Sequence, residues 1–297
     1  MKRLLSCYAS DFEKMSGQEL KQSILASEGR TIMAETVVTA APLLEGITNA
    51  EVMAAFGADL IVLNELDVVK PKIVGMPDCD NPIAEIKRLT GRPVGINLEP
   101  VDATVDVLDT RVEISKGRLA TAENCQLAQE MGVDFIMLTG NPSTGVSKQA
   151  IGQSIATSKA NFDGLVFAGK MHGAGLSEKI FTLDELIAYI QSGADGVLLP
   201  AVGTVPGLTE QEAHEACQVV KDLGGLVIST IGTSQESADE ETIRSFGLSN
   251  KRVGSDIHHI GDGGYGRMPI PENITALSIA VRGKRHTYFR MAQSIRR

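Results

Sequence analysis

Ser192-Gly193-Ala194-Asp195-Gly196-Val197-Leu198-Leu199-Pro200 contains a helix end, a glycine stop and a buried strand in one short stretch. Glycine just past a helix accepts the left-handed conformation that closes it. A short apolar run bounded by Gly and Pro fits a strand covered on both faces, as in a parallel sheet. The same junction recurs at Phe56-Gly57-Ala58-Asp59 and Met131-Gly132-Val133-Asp134. Three copies of one helix-to-strand junction indicate a repeated βα unit. The junctions are expected at the bottom face, where they serve stability.

Outward from these junctions, eight strand-like runs emerge: Thr31–Glu35, Asp59–Glu65, Pro93–Glu99, Asp134–Thr139, Gly164–Lys170, Gly196–Pro200, Leu226–Thr230 and Ser255–His259. Helix-period segments separate them, opened by capping patterns at Thr121, Thr182 and Thr209 and by Pro271 in a first turn. The expected fold is one α/β domain, a (β/α)8 TIM barrel over residues 31–297 with an N-terminal helical extension over 1–30. Within that extension, Ser16-Gly17-Gln18-Glu19 has capping-box spacing, and the helix it opens is expected to cover the bottom of the barrel. The stretch 100–120 reads as an excursion or small hairpin, and 66–82 as a long loop.

The 297 residues are 43% hydrophobic and 22% charged, with a net charge of -9, which argues against nucleic-acid or anionic-membrane partners. No run approaches the roughly 18 apolar residues of a membrane span. Cys7, Cys79, Cys125 and Cys217 are scattered without a CxxC pair. The expectation is free thiols in a reducing cytoplasm. Arg282-Gly283-Lys284-Arg285-His286 reads as a solvated surface or a contact between copies in a homo-oligomer.

A TIM barrel carries its chemistry on the loops that follow its strands, so the strand ends supply the candidates. Lys170, which ends the fifth strand, can form a Schiff base or hold an anion. His172, two residues on, can move protons. Glu35, Glu65 and Glu99 end the first three strands. They suit general acid–base work, with Lys170, His172, Glu35 and Glu99 as the catalytic set, or oxygen ligation of Mg²⁺. With His172 or His259 they suit Mn²⁺ or Zn²⁺. Gly232, Thr233 and Ser234 after the seventh strand, with Gly263 and Gly264 after the eighth, are expected to cradle a phosphate. Asp262 is discordant there, since a carboxylate beside phosphate needs a cation. Asn64, Asn97, Thr139, Asn141 and His259 complete the substrate-binding candidates. Of the adjacent His258 and His259, at most one can face inward.

The order of elements resembles the ribulose-phosphate-binding class of TIM barrels, and within it the BtpA-like barrels, named for a photosystem-assembly factor. Val62-Leu63-Asn64-Glu65, Pro93-Val94-Gly95-Ile96-Asn97, the Lys170/His172 pair, Gly193-Ala194-Asp195-Gly196-Val197 and Ile231-Gly232-Thr233-Ser234 carry the resemblance, over about residues 55–240. The long glycine-rich segment 261–266 departs from that pattern. Three functional readings follow. The first is an aldolase, lyase or isomerase acting on a small phosphorylated sugar or related metabolite. The second is a metal-dependent hydrolase or lyase built on the glutamates and a histidine. The third, implied by the resemblance, is a non-catalytic metabolite-binding regulator or assembly factor.

Overall fold

A computed structural model describes residues 2–297; Met1, the head of the predicted extension, lies outside them. β1 (Thr31–Val37), β2 (Leu60–Asn64), β3 (Val94–Leu98), β4 (Phe135–Leu138), β5 (Leu165–Gly169), β6 (Gly196–Pro200), β7 (Leu226–Ile231) and β8 (Ile257–Ile260) are linked through helices and close in sequence order into one parallel barrel. Closure places Met33 of β1 opposite His259 of β8. Each strand lies within two residues of its expected bounds.

The repeated junction has a definite task. Asp59, Asp134, Asp195 and Asp256 each sit just before an even-numbered strand. Each carboxylate accepts from a backbone N–H of the preceding odd strand: Ile32, Val94, Val166 and Val227 respectively. The backbone N–H of each aspartate donates to the carbonyl of that same residue. A basic side chain anchors every one, with Lys87 on Asp134, Lys159 on Asp195, Lys221 on Asp256 and two arginines on Asp59. The fourth copy, Gly254-Ser255-Asp256, departs from the Gly-Ala/Val-Asp spelling of the other three.

Alternation along the strands sorts the apolar side chains. Met33, Leu60, Val62, Phe135, Met137, Leu165, Phe167, Leu198 and Ile228 fill the interior, while the neighbouring positions pack outward under the helices. Gly95 gives the room that Phe135 needs, because a Cβ there would come within 2.1 Å of the ring. From the segment before β1, Leu4, Cys7, Phe12, Leu20 and Ile24 join the interior cluster. Ser16 and Glu19 form the capping box of that segment's helix Gly17–Leu25.

The stretch 100–120 is an excursion without a hairpin, one of its two expected forms. It returns as a short segment between the tops of β2 and β3, where Val68 donates to the Gly117 carbonyl, Glu99 to that of Arg118 and Ala120 to that of Glu99. Arg282 is no surface residue: its side chain is fully buried against Asp59 at 2.6 Å, and the turn of the last helix, Pro271–Met291, at Gly283 (φ 74°) precedes Arg290, which binds the same Asp59. Among the described residues, no helix is long and apolar enough to cross a membrane.

Candidate active site

Along β1, β2, β3, β4 and β8 the inward set turns from apolar to polar at the C-terminal end. Glu35 continues the Met33 side of β1, Asn64 the Val62 side of β2, and Asn97 the Gly95 side of β3. Thr139 follows Met137, and His259 follows Ile257. All five are buried. Parallel strands covered by helices leave the barrel mouth as the place where such side chains meet.

Glu35 is the centre. Asn97 Nδ2 donates to its Oε1 at 2.6 Å, and His259 Nε2 lies 2.7 Å from its Oε2. The outer atoms of both partners, Asn97 Oδ1 and His259 Nδ1, are buried without a hydrogen-bond partner. His258 faces the other way, with Nε2 on the Gly29 carbonyl at 2.8 Å; burial depresses its pKa to about 4. Asp262 reaches down from the loop after β8, and Asn64 Nδ2 donates to it at 2.6 Å. Burial first, and then the charge of Glu35, raise the Asp262 carboxyl to about 7. The residue that read as discordant beside a phosphate is the most strongly perturbed acid at the mouth.

Glu99 is fully committed. Its two oxygens accept from Asn141 N and Nδ2, Thr144 Oγ1 and Arg118 Nη2, at 2.7–2.9 Å. A carboxylate so saturated holds its donors in place and has no lone pair left for a proton or a cation. Asn141 also exchanges amide hydrogen bonds with Asn64, which ties the Glu99 network to Asp262. Glu65, in a left-handed backbone (φ 64°), accepts from Thr39 and lies 3.9 Å from Arg118. The three glutamates therefore do not converge on one point. Among the described residues no three His, Cys, Asp or Glu side chains form a metal set.

Lys170 turns away from the mouth. It follows the outward side of β5, and its Nζ binds Glu178 at 2.7 Å and the Val146 carbonyl at 3.1 Å. Burial lowers its pKa against the opposing pull of Glu178. Met171 takes the inward place. His172 is half-buried, and its Nδ1 accepts from the Ala174 N–H. Burial lowers its pKa, and the charge of Lys170 adds to that while Glu35 opposes it.

The glycine loops have acidic and carbonyl neighbours. Thr233 points its hydroxyl at the carbonyls of Thr204 and Gly232. Thr233 and Ser234 are both left-handed (φ 56° and 71°) and lead into a short turn, Gln235–Ser237. Glu236 of that turn is 1% exposed, and its carboxylate packs on Gly263, where a Cβ would lie 2.6 Å from Oε1. Gly264 is hemmed in by Ser237 Oγ and the Met268 carbonyl. A buried carboxylate thus stands behind the backbone that was expected to hold an anion. Sequence reading did not anticipate Arg118, Thr144, Glu178 or Glu236. Arg118 and Thr144 reach Glu99 across 19 and 45 positions, and no local motif marks any of the four.

A family model described as a domain of unknown function, DUF7916, matches residues 5–297. The chain belongs to the DUF7916 family. No curated protein matches it. Among solved structures, an archaeal fructose 1,6-bisphosphate aldolase is similar at TM-score 0.52 and 15% identity, covering 88% of this chain and 98% of its own. A 2,3-dimethylmalate lyase, a member of the PEP mutase/isocitrate lyase superfamily, is similar at TM-score 0.50 and 14% identity, covering 82% of this chain and 80% of its own. At these identities the shared property is the TIM-barrel fold, which hosts many unrelated chemistries.

Proposed function

We propose that this DUF7916 barrel is an enzyme of the lyase or isomerase type, acting by proton transfer on a small polar metabolite at its mouth. The observation that carries the reading is Asp262, a carboxyl raised to about 7 beside the Glu35–His259 pair. Titratable groups whose environments separate their protonation states mark acid and base roles. In this reading the proton of the pair sits on His259 Nε2, directed at Glu35, so that His259 Nδ1 keeps its lone pair and serves as base. Glu35 orients the ring and Asn97 orients Glu35. Asp262 supplies the proton on the other side of the reaction.

Cleavage of a carbon–carbon bond next to a hydroxyl fits this arrangement. Nδ1 takes the hydroxyl proton, the carbon–carbon bond breaks as the carbonyl forms, and Asp262 protonates the enolate that leaves. Each step conserves its electrons without an external oxidant. The two aldolase- and lyase-named structures of the same fold are compatible with that class of chemistry. A phosphorylated substrate belongs to the reading only if its phosphate lies outside the loop backed by Glu236.

Titration tests the assignment before any substrate is known. Carbon-13 NMR of the Asp262 carboxyl is expected to give a midpoint of about 7, absent in Asp262→Asn and lowered in Glu35→Gln, where the like charge is gone. A midpoint near the ordinary aspartate value of about 4 overturns the reading. Once a substrate is found, Asp262→Asn should lower turnover by about 10²–10⁴.

A further inference from the structure

The end of the barrel opposite the mouth holds a cavity of about 590 Å³. Pro93, Asp134 and Gly164, just before β3, β4 and β5, line it together with Phe12 and Leu20 from the segment that precedes β1. Phe12, Leu20, Pro93 and Val133 are buried and give it an apolar wall.

Arg92 is the buried cation in that wall, 5% exposed. Its Nε donates to the Ala58 carbonyl, Nη1 to that of Gly91 and Nη2 to that of Arg290. Every partner is a neutral carbonyl, and each Nη keeps a further N–H to give. The acid nearby is already taken, since Asp59 pairs with Arg282 and Arg290. Burial first, and then the charge of Arg290, depress the Arg92 pKa to about 9, so the group stays charged at neutral pH. A buried cation without a counter-ion is costly, and an anion that reaches it through the cavity relieves that cost.

The other charges on the wall limit what that anion can be. Lys87 pairs with Asp134, and Arg88 with Glu85. Glu13 and Asp163 are exposed lining residues. Their carboxylates disfavour a doubly charged head such as phosphate, while the apolar wall suits hydrocarbon. A carboxylate also matches the planar fork of a guanidinium.

We propose that this cavity binds a small monocarboxylate with an apolar body, its carboxylate on Arg92 and its hydrocarbon against Phe12, Leu20 and Val133. The site lies at the other end of the strands from Asp262 and is independent of the acid–base reading.

Isothermal titration calorimetry on the full chain tests it, with hydrocinnamate as the carboxylate probe, hydrocinnamyl alcohol as its uncharged analogue and inorganic phosphate as the compact anion. Hydrocinnamate is expected to bind wild type at least about tenfold more tightly than the alcohol, about 1.4 kcal/mol or more, through the charge-assisted contact with Arg92. In Arg92→Gln that advantage should disappear, leaving acid and alcohol alike. Ala84 is an exposed lining residue on the helix Pro82–Thr90. Ala84→Trp fills the cavity from that side without touching the guanidinium. It should weaken hydrocinnamate by about tenfold or more with circular dichroism unchanged, and it covers the case in which Arg92→Gln fails to fold. Hydrocinnamate that does not bind wild type overturns the proposal. So does binding that survives Ala84→Trp, an alcohol that matches the acid in wild type, or phosphate that displaces the acid.

Discussion

Asp262 and Glu236 are both acids near the ends of β7 and β8, with different consequences. Asp262 has its carboxyl raised from 3.8 to about 7 by burial and Glu35. Between those values the folded chain holds a proton that the unfolded chain has released. Stability from this group therefore falls as pH rises from about 4 to about 7, and it has no further effect above that. Asp262→Asn is expected to flatten this part of the stability profile and to be the more stable protein at pH about 8, as measured by urea melts across pH. Glu236 has one oxygen without any partner and the other only 3.4 Å from Ser237 Oγ. Glu236→Gln keeps the shape and removes an uncompensated charge, so it should stabilise by about 1–3 kcal/mol. A fall in Tm would mean that the carboxylate has a binding role at that loop.

At the scale of elements, strand alternation decides what the mouth contains. Lys170 and His172 stand two residues apart, a spacing that places both on one side of an extended segment. The strand ends at Gly169, whose φ of 148° has its ideal Cβ 2.5 Å from the Leu198 carbonyl. After it Lys170 goes outward to Glu178, while the His172 ring accepts from the Ala174 N–H. The irregular stretch after β3 is the converse case. No local pattern in that stretch marks Arg118 as the residue that enters between β2 and β3 and binds Glu99. The interior also depends on matched sizes. Gly95→Ala would push a methyl into the Phe135 ring, and overpacking of this kind costs about 1–3 kcal/mol. Phe135→Leu in the same chain should recover part of that loss, which chemical denaturation of the two variants and the double variant would measure.

Across the whole molecule, the two termini lock the barrel from below. Asp59 is fully buried between Arg282 and Arg290, each 2.6 Å away. Arg290 also donates to the carbonyls of Leu4 and Cys7, so one ion-pair cluster joins the last helix, the junction before β2 and the N-terminal extension. Asp59→Ala leaves buried arginines without their anion. It is expected to cost about 3–5 kcal/mol, detected as a lower denaturation midpoint, with the Asp262 titration unchanged because the mouth is at the opposite end of the strands. If the midpoint does not move, this cluster does not hold the termini.

The sequence by itself determined the barrel. Eight apolar runs, helix caps and the repeated glycine–aspartate junction are local signals, each written in contiguous residues and each set by backbone chemistry. The strand ends followed from it, and so did the positions of Glu35, Asn64, Asn97, His259 and Asp262 on the mouth face. The grouping of those residues was decided only by the tertiary structure. Which acid is saturated and which carboxyl keeps its proton near pH 7 depend on partners tens to hundreds of residues away. Asn64 meets Asp262 across 198 positions, and Glu35 meets His259 across 224. Only closure of the barrel brings them within hydrogen-bonding distance and takes the Asp262 carboxyl out of the water that would otherwise hold it near its ordinary value.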